Sequence, residues 1–70
     1  MPYYRAEHRD TRKVWRIEAR SKTQLRRQLA RFDGSEYRSF WNLTEVDSTE
    51  WNRLKRQGVD FVPYEMMSRQ

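Results

Sequence analysis

Residues 14–34, VWRIEARSKTQLRRQLARFDG, change period part-way along. Trp15, Ile17 and Ala19 alternate with Val14, Arg16, Glu18 and Arg20, the period of two that a strand imposes. From Ser21 onward the apolar residues fall at Leu25, Leu29 and Phe32, positions i, i+4 and i+7 of one helical stripe. Ser21 and Gln24 have the spacing of a capping box, and Gly34 stands where a helix commonly hands over to left-handed backbone. The stretch predicts a strand, a capped start at Ser21, and a helix over 22–33 whose apolar stripe faces a core.

Upstream, Tyr4, Ala6 and His8 alternate with Tyr3, Arg5, Glu7 and Arg9, so a strand precedes. The polar run Asp10-Thr11-Arg12-Lys13 reads as a hairpin loop. Charge suggests the register. Arg9 opposite Val14 sets Glu7 against Arg16 and Arg5 against Glu18, whereas a shift of two sets Arg5 against Arg16. Opposite-charge pairs across strands contribute roughly 0.2–1 kcal/mol each, so the first register is expected.

Downstream, 36–46 (EYRSFWNLTEV) predicts a third strand, with Tyr37, Trp41 and Leu43 on one face and Arg38, Phe40, Asn42, Thr44 and Val46 on the other. Asp47 and Glu50 form a second capping box, Val46 and Trp51 a hydrophobic staple, and Gly58 a second stop. Trp51 and Leu54 give this helix a short stripe. Val59 to Val62 reads as a final strand that Pro63 confines to an edge. The expected fold class is α+β: a two-layer α/β sandwich, order β-β-α-β-α-β. Its mixed sheet has three or four strands, with both short helices on one face. Residues 1–64 form one small domain and 65–70 a frayed tail.

The chain has 70 residues and no cysteine, so neither disulfides nor thiolate chemistry enter. A domain this short buries only about 60% of its unfolded surface, and Trp15, Trp41, Trp51, Phe32 and Phe61 are the candidates to fill its core. No apolar run approaches the roughly 20 residues of a membrane span. The first residues lack a signal peptide's apolar stretch, so the expected location is the cytoplasm.

The formal net charge is +5. Residues 1–31 carry ten Arg or Lys against three acids, while residues 32–70 carry five against seven. Twelve of the fifteen cations are arginine, whose planar fork suits phosphate and carboxylate. Solubility alone also calls for net charge, so the asymmetry carries more weight than the total.

Support for catalysis is thin. His8 is the single histidine, and its strand parity turns it inward beside Trp15 as a structural residue. Neighbours along a strand point to opposite faces, so Glu7-His8-Arg9-Asp10 cannot converge on a metal. No phosphate-binding loop, dinucleotide fingerprint or calcium loop occurs. The reading is a non-enzymatic binding protein without metal or cofactor.

With both helices on one face, the bare sheet face would offer Arg16, Arg20 and Arg38 beside an exposed Phe40, the parts of a single-strand platform. The helix offers Lys22, Arg26, Arg27 and Arg31, spread round its outer arc with Ala30 among them, for phosphate contacts. The expected partner is therefore nucleic acid, DNA or RNA. The alternative is a protein–protein module, an inhibitor or regulator whose Arg- and aromatic-rich face takes an acidic or nucleic-acid-handling protein. Bland accounts compete at each position: a solvated helix face for the cations, and a lone surface ring or a homodimer contact for Phe40.

Overall fold

A computed structural model describes residues 2–34 and 40–63. The elements are β1 (Tyr3–His8), β2 (Val14–Glu18), α1 (Lys22–Phe32), β3 (Trp41–Val46), α2 (Ser48–Arg56) and β4 (Asp60–Phe61). They build one four-stranded mixed sheet in the order β3-β1-β2-β4. The order β-β-α-β-α-β and the mixed sheet agree with the sequence reading. Residues 36–39 of the expected third strand and the expected tail lie outside the described residues.

Both helices start where the caps predict. The Ser21 hydroxyl accepts the Gln24 N–H at 3.2 Å, and an Asp47 carboxylate oxygen accepts the Glu50 N–H at 2.8 Å. Gly34 and Gly58 follow the helices at φ of 77° and 79°, backbone that costs a residue with a Cβ considerably more.

The helices do not share a face of the sheet, which corrects the two-layer expectation. β1 is antiparallel to β2 and to β3, and β4 is parallel to β2. Two parallel crossovers follow. The first runs from β2 through α1 to β3, across β1. The second runs from β3 through α2 back across β1 and β2 to β4. Parallel crossovers are right-handed in about 98% of cases. Two crossovers of one hand that travel in opposite directions must lie on opposite faces. The sheet is thus the middle of three layers.

On the α1 face, Tyr4, Ala6, Ile17, Ala19, Trp41 and Leu43 pack under Leu25 and Leu29, with Trp15, Phe32 and Val62 against them. Ala6 lies opposite Trp15 on β2 and Leu43 on β3, and the Trp15 and Trp41 indoles stack across β1 at 4.3 Å. Trp41 Nε1 donates to an Asp33 carboxylate oxygen at 2.8 Å, tying the end of α1 to β3. Burial, and secondarily the nearby Glu45 carboxylate, raises the Tyr4 phenol above its usual pKa. Ala30, expected among the exposed cations, is only 7% exposed.

On the α2 face the second core is smaller. Trp51, 9% exposed, stacks on Tyr3 with ring centroids 4.6 Å apart. Phe61 meets Trp51 edge-on at 5.9 Å, and Leu54 is buried beside them on the same helix. Trp51 and Leu54 therefore close the face opposite to the one the sequence reading assigned them.

The hairpin takes the register that the charge argument rejected: Arg5 lies opposite Arg16, Glu7 opposite Val14 and Tyr3 opposite Glu18. The two arginines are satisfied elsewhere. Arg5 donates to Glu7 on its own strand at 3.3 Å, and Arg12 from the loop takes the other Glu7 oxygen at 3.3 Å. The turn over Arg9–Arg12 closes with His8 N–H to the Lys13 carbonyl at 2.8 Å. Within it, His8 Nδ1 accepts the Asp10 and Thr11 N–H groups at 3.2 Å each. Arg12 adopts φ +63°, uncommon for a residue with a Cβ. His8 thus anchors the loop, with its ring edge-on to Trp41 at 4.9 Å. Trp15 sits across from Ala6 instead, which corrects the expected His8–Trp15 neighbourhood.

Since each face has its own core, Trp51→Ala should lower unfolding free energy by about 3–5 kcal/mol. Leu29→Ala on the other face should cost about 2–5 kcal/mol. Urea denaturation measures both. A near-neutral Trp51→Ala would mean that α2 does not close the second face.

Candidate nucleic-acid interface

The cations proposed from sequence separate into two groups. Arg20, in the bend after β2, and Lys22, Arg26, Arg27 and Arg31 on α1 are all exposed. The first turn of α1 holds no acid, and its last turn holds Arg31. The ion pairs among the described residues are Arg5–Glu7, Arg12–Glu7 and Arg53–Glu50, so none involves these five cations. Asp33, the acid at the end of α1, is engaged by the Trp41 indole.

From Lys22 to Arg31 the helix advances about 13 Å, a length over which a B-form duplex carries roughly eight charges. Lys22 and Arg26 form one i, i+4 flank and Arg27 and Arg31 the other. The peptide dipoles add partial positive charge at the Ser21 end, where no acid offsets it. The surface is broad and positive, with its cations spread round the exposed arc of the helix.

Arg16 belongs to the second group. Its Nε donates to the Val59 carbonyl at 2.9 Å. Its guanidinium lies 4.9 Å from the Trp51 ring centroid and 5.7 Å from that of Phe61. This half-buried cation fastens β4 and α2 to β2 and is not presented to a ligand. The sheet platform fails with it, because α2 covers the face on which Arg16 was to lie open. Phe40 is not on an open face either. It is half-buried, its ring lies 6.2 Å from that of His8, and its carbonyl accepts the Arg9 N–H at 2.8 Å. Arg38 lies outside the described residues.

The sequence reading missed two features. One is the outer face of α2, where exposed Thr49, Asn52, Lys55 and Arg56 line a shallow depression of about 630 Å³. The net negative charge of the second half of the chain concealed it. The spacing of Asn52, Lys55 and Arg56 off the Trp51–Leu54 stripe was the available signal. The other is Phe61, 46% exposed at the β4 edge, which had been counted as core.

No helix among the described residues is long and apolar enough to cross a membrane. The chain matches no family model, no curated protein and no solved structure with which it was compared.

The division of the arginines is testable at Arg16. Arg16→Met keeps an apolar stem but removes the cation–π contacts and the bond to Val59. Stability should fall by about 1–2 kcal/mol. Affinity for a DNA duplex, read by fluorescence anisotropy, should change by less than about threefold. A tenfold loss of affinity in the folded variant would return Arg16 to the interface.

Proposed function

We propose that the protein is a small, non-enzymatic, cytoplasmic binding protein that engages nucleic acid through the outer face of α1 and Arg20. The supporting observation is the group of five exposed cations, Arg20, Lys22, Arg26, Arg27 and Arg31, none in an ion pair among the described residues.

Phosphate contacts suit this surface better than base readout. A helix that reads bases presents a narrow ridge of amide and guanidinium groups to a groove. Here the cations are spread over an arc, and Thr23 and Gln24 are the neutral polar side chains exposed among them. Single-strand binding would need rings on which bases stack. Among the described residues, Trp15, Trp41 and Trp51 are engaged with other rings of the fold, and the exposed ring of Phe61 stands on the α2 side of the sheet, away from the α1 cations. The ligand this leaves is a phosphate backbone in duplex form, bound with little sequence preference.

The second reading, an interface with an acidic or nucleic-acid-handling protein, draws on Phe61. This exposed ring stands beside Arg16 and Trp51, and aromatic residues with arginine commonly anchor protein interfaces. It is the weaker reading because it leaves the α1 cations without a role.

A salt titration tests the proposal. If all five cations engage phosphates, the logarithm of the duplex binding constant should fall with the logarithm of salt with a slope near −4.5. The double change Arg26→Ala, Arg27→Ala should reduce that slope by about 2 and weaken binding to all sequences alike. Both side chains are exposed, so the thermal melt should barely move. Unchanged affinity would remove α1 from the interface. Binding that hardly responds to salt would favour the protein partner.

A further inference from the structure

We propose that the protein bridges two nucleic-acid segments, one on α1 and a second on the outer face of α2; this rests on the reading of α1 given above. The depression on α2 is lined by a hydroxyl, a carboxamide, an ammonium and a guanidinium, from Thr49, Asn52, Lys55 and Arg56. All four are groups able to donate to phosphate oxygens, and Thr49, Asn52, Lys55 and Arg56 bring no carboxylate to the depression. Glu50, the acid of this helix, is held by a paired contact with Arg53, which lowers its pKa. Lys55 and Arg56 make no ion pair among the described residues. The helix dipole favours cations in the last turn and accounts for that part of the arrangement. It does not account for Thr49 and Asn52, which lie earlier in the helix and line the same depression.

The three-layer fold puts this surface on the far side of the sheet from α1. A duplex has a persistence length of about 150 base pairs. It cannot curl round a body whose smallest dimension is 18 Å to reach both helices. Occupying both surfaces therefore requires two segments, from two molecules or from distant parts of one. Charge sets their order. The α1 surface, with five cations that make no ion pair among the described residues, fills first, and the α2 surface, with two, fills second and is lost first as salt rises.

The experiment uses the full chain, an immobilised duplex and a labelled second duplex of the same sequence. Retention of protein and retention of label are read separately at low salt. The wild type should hold the label. Lys55→Ala, Arg56→Ala should bind the immobilised duplex within about threefold of wild type but retain at least about tenfold less label. Arg26→Ala, Arg27→Ala should weaken both signals, with circular dichroism confirming that each variant is folded. If the α2 variant captures label as well as wild type, bridging proceeds without α2, through self-association for example, and the proposal is overturned. It is equally overturned if wild type binds the first duplex and captures no second. Failure to bind even the first duplex would instead remove the reading of α1, and bridging with it.

Discussion

The packing of Trp51 on Tyr3, with Arg16 against both Trp51 and Phe61, holds the second helix to the sheet and so decides which surfaces remain open. Without it, one side of β1 and β2 would present Tyr3, Arg5 and Arg16 to water. With it, the sheet is enclosed on both sides. The topology demands this closure, because the chain reverses direction across the sheet after β3 and a right-handed return can only run over the other face. Trp51 supplies the side chain large enough to use that face. A tryptophan buries more apolar area than any other residue, which matters where α2 contributes only Trp51 and Leu54 to the interior.

The arginines consequently do two kinds of work. Arg5 and Arg12 converge on Glu7 and hold the hairpin, while Arg16 is stacked into the aromatic cluster and bonded to the backbone before β4. These are framework cations. Exposed ion pairs contribute little, typically under about 1 kcal/mol. Arg16 gains more because its guanidinium is partly desolvated against two rings, where cation–π attraction is strongest. Arg20, Lys22, Arg26, Arg27 and Arg31 make no ion pair among the described residues.

Local order was well written in the sequence, and long-range order was not. Period, caps and stop glycines located both helices, because Ser21, Asp47, Gly34 and Gly58 act within a few residues of themselves. Charge pairs across the hairpin are worth only a few tenths of a kcal/mol and are outweighed by His8 capping the loop and by Arg16 packing on Trp51, contacts that strand alternation does not reveal. The side taken by α2 was missed for a related reason. Trp51 and Leu54 show that α2 is amphipathic but not which face it covers, and that depends on where β4 joins the sheet. The α1 part of the candidate surface was legible because exposed cations on a helix need no tertiary contact to be recognised. Phe40 and Arg16 were misplaced because their roles depend on His8, Val59 and Phe61, residues distant in sequence.

The charge on α1 also has an energetic cost, which α2 partly offsets by pairing Arg53 with Glu50. Lys22 with Arg26, and Arg27 with Arg31, are like-charge pairs at i, i+4, each destabilising a helix by about 0.2–0.5 kcal/mol. A glutamate in place of Lys22 or Arg27 would turn repulsion into attraction, and at Lys22, in the first turn, it would also complement the helix dipole. On α2 the chain does this, with Glu50 in the first turn paired to Arg53. The same 70 residues thus hold one helix optimised for its own stability and one that is not. In a domain with a small core, the difference is a sizeable share of a stability that is marginal to begin with. A solvated face needs only polarity, and mixed charges supply it at no such cost. A polyanion recovers the cost on binding, since each phosphate relieves the repulsion between the cations it joins and releases condensed counterions.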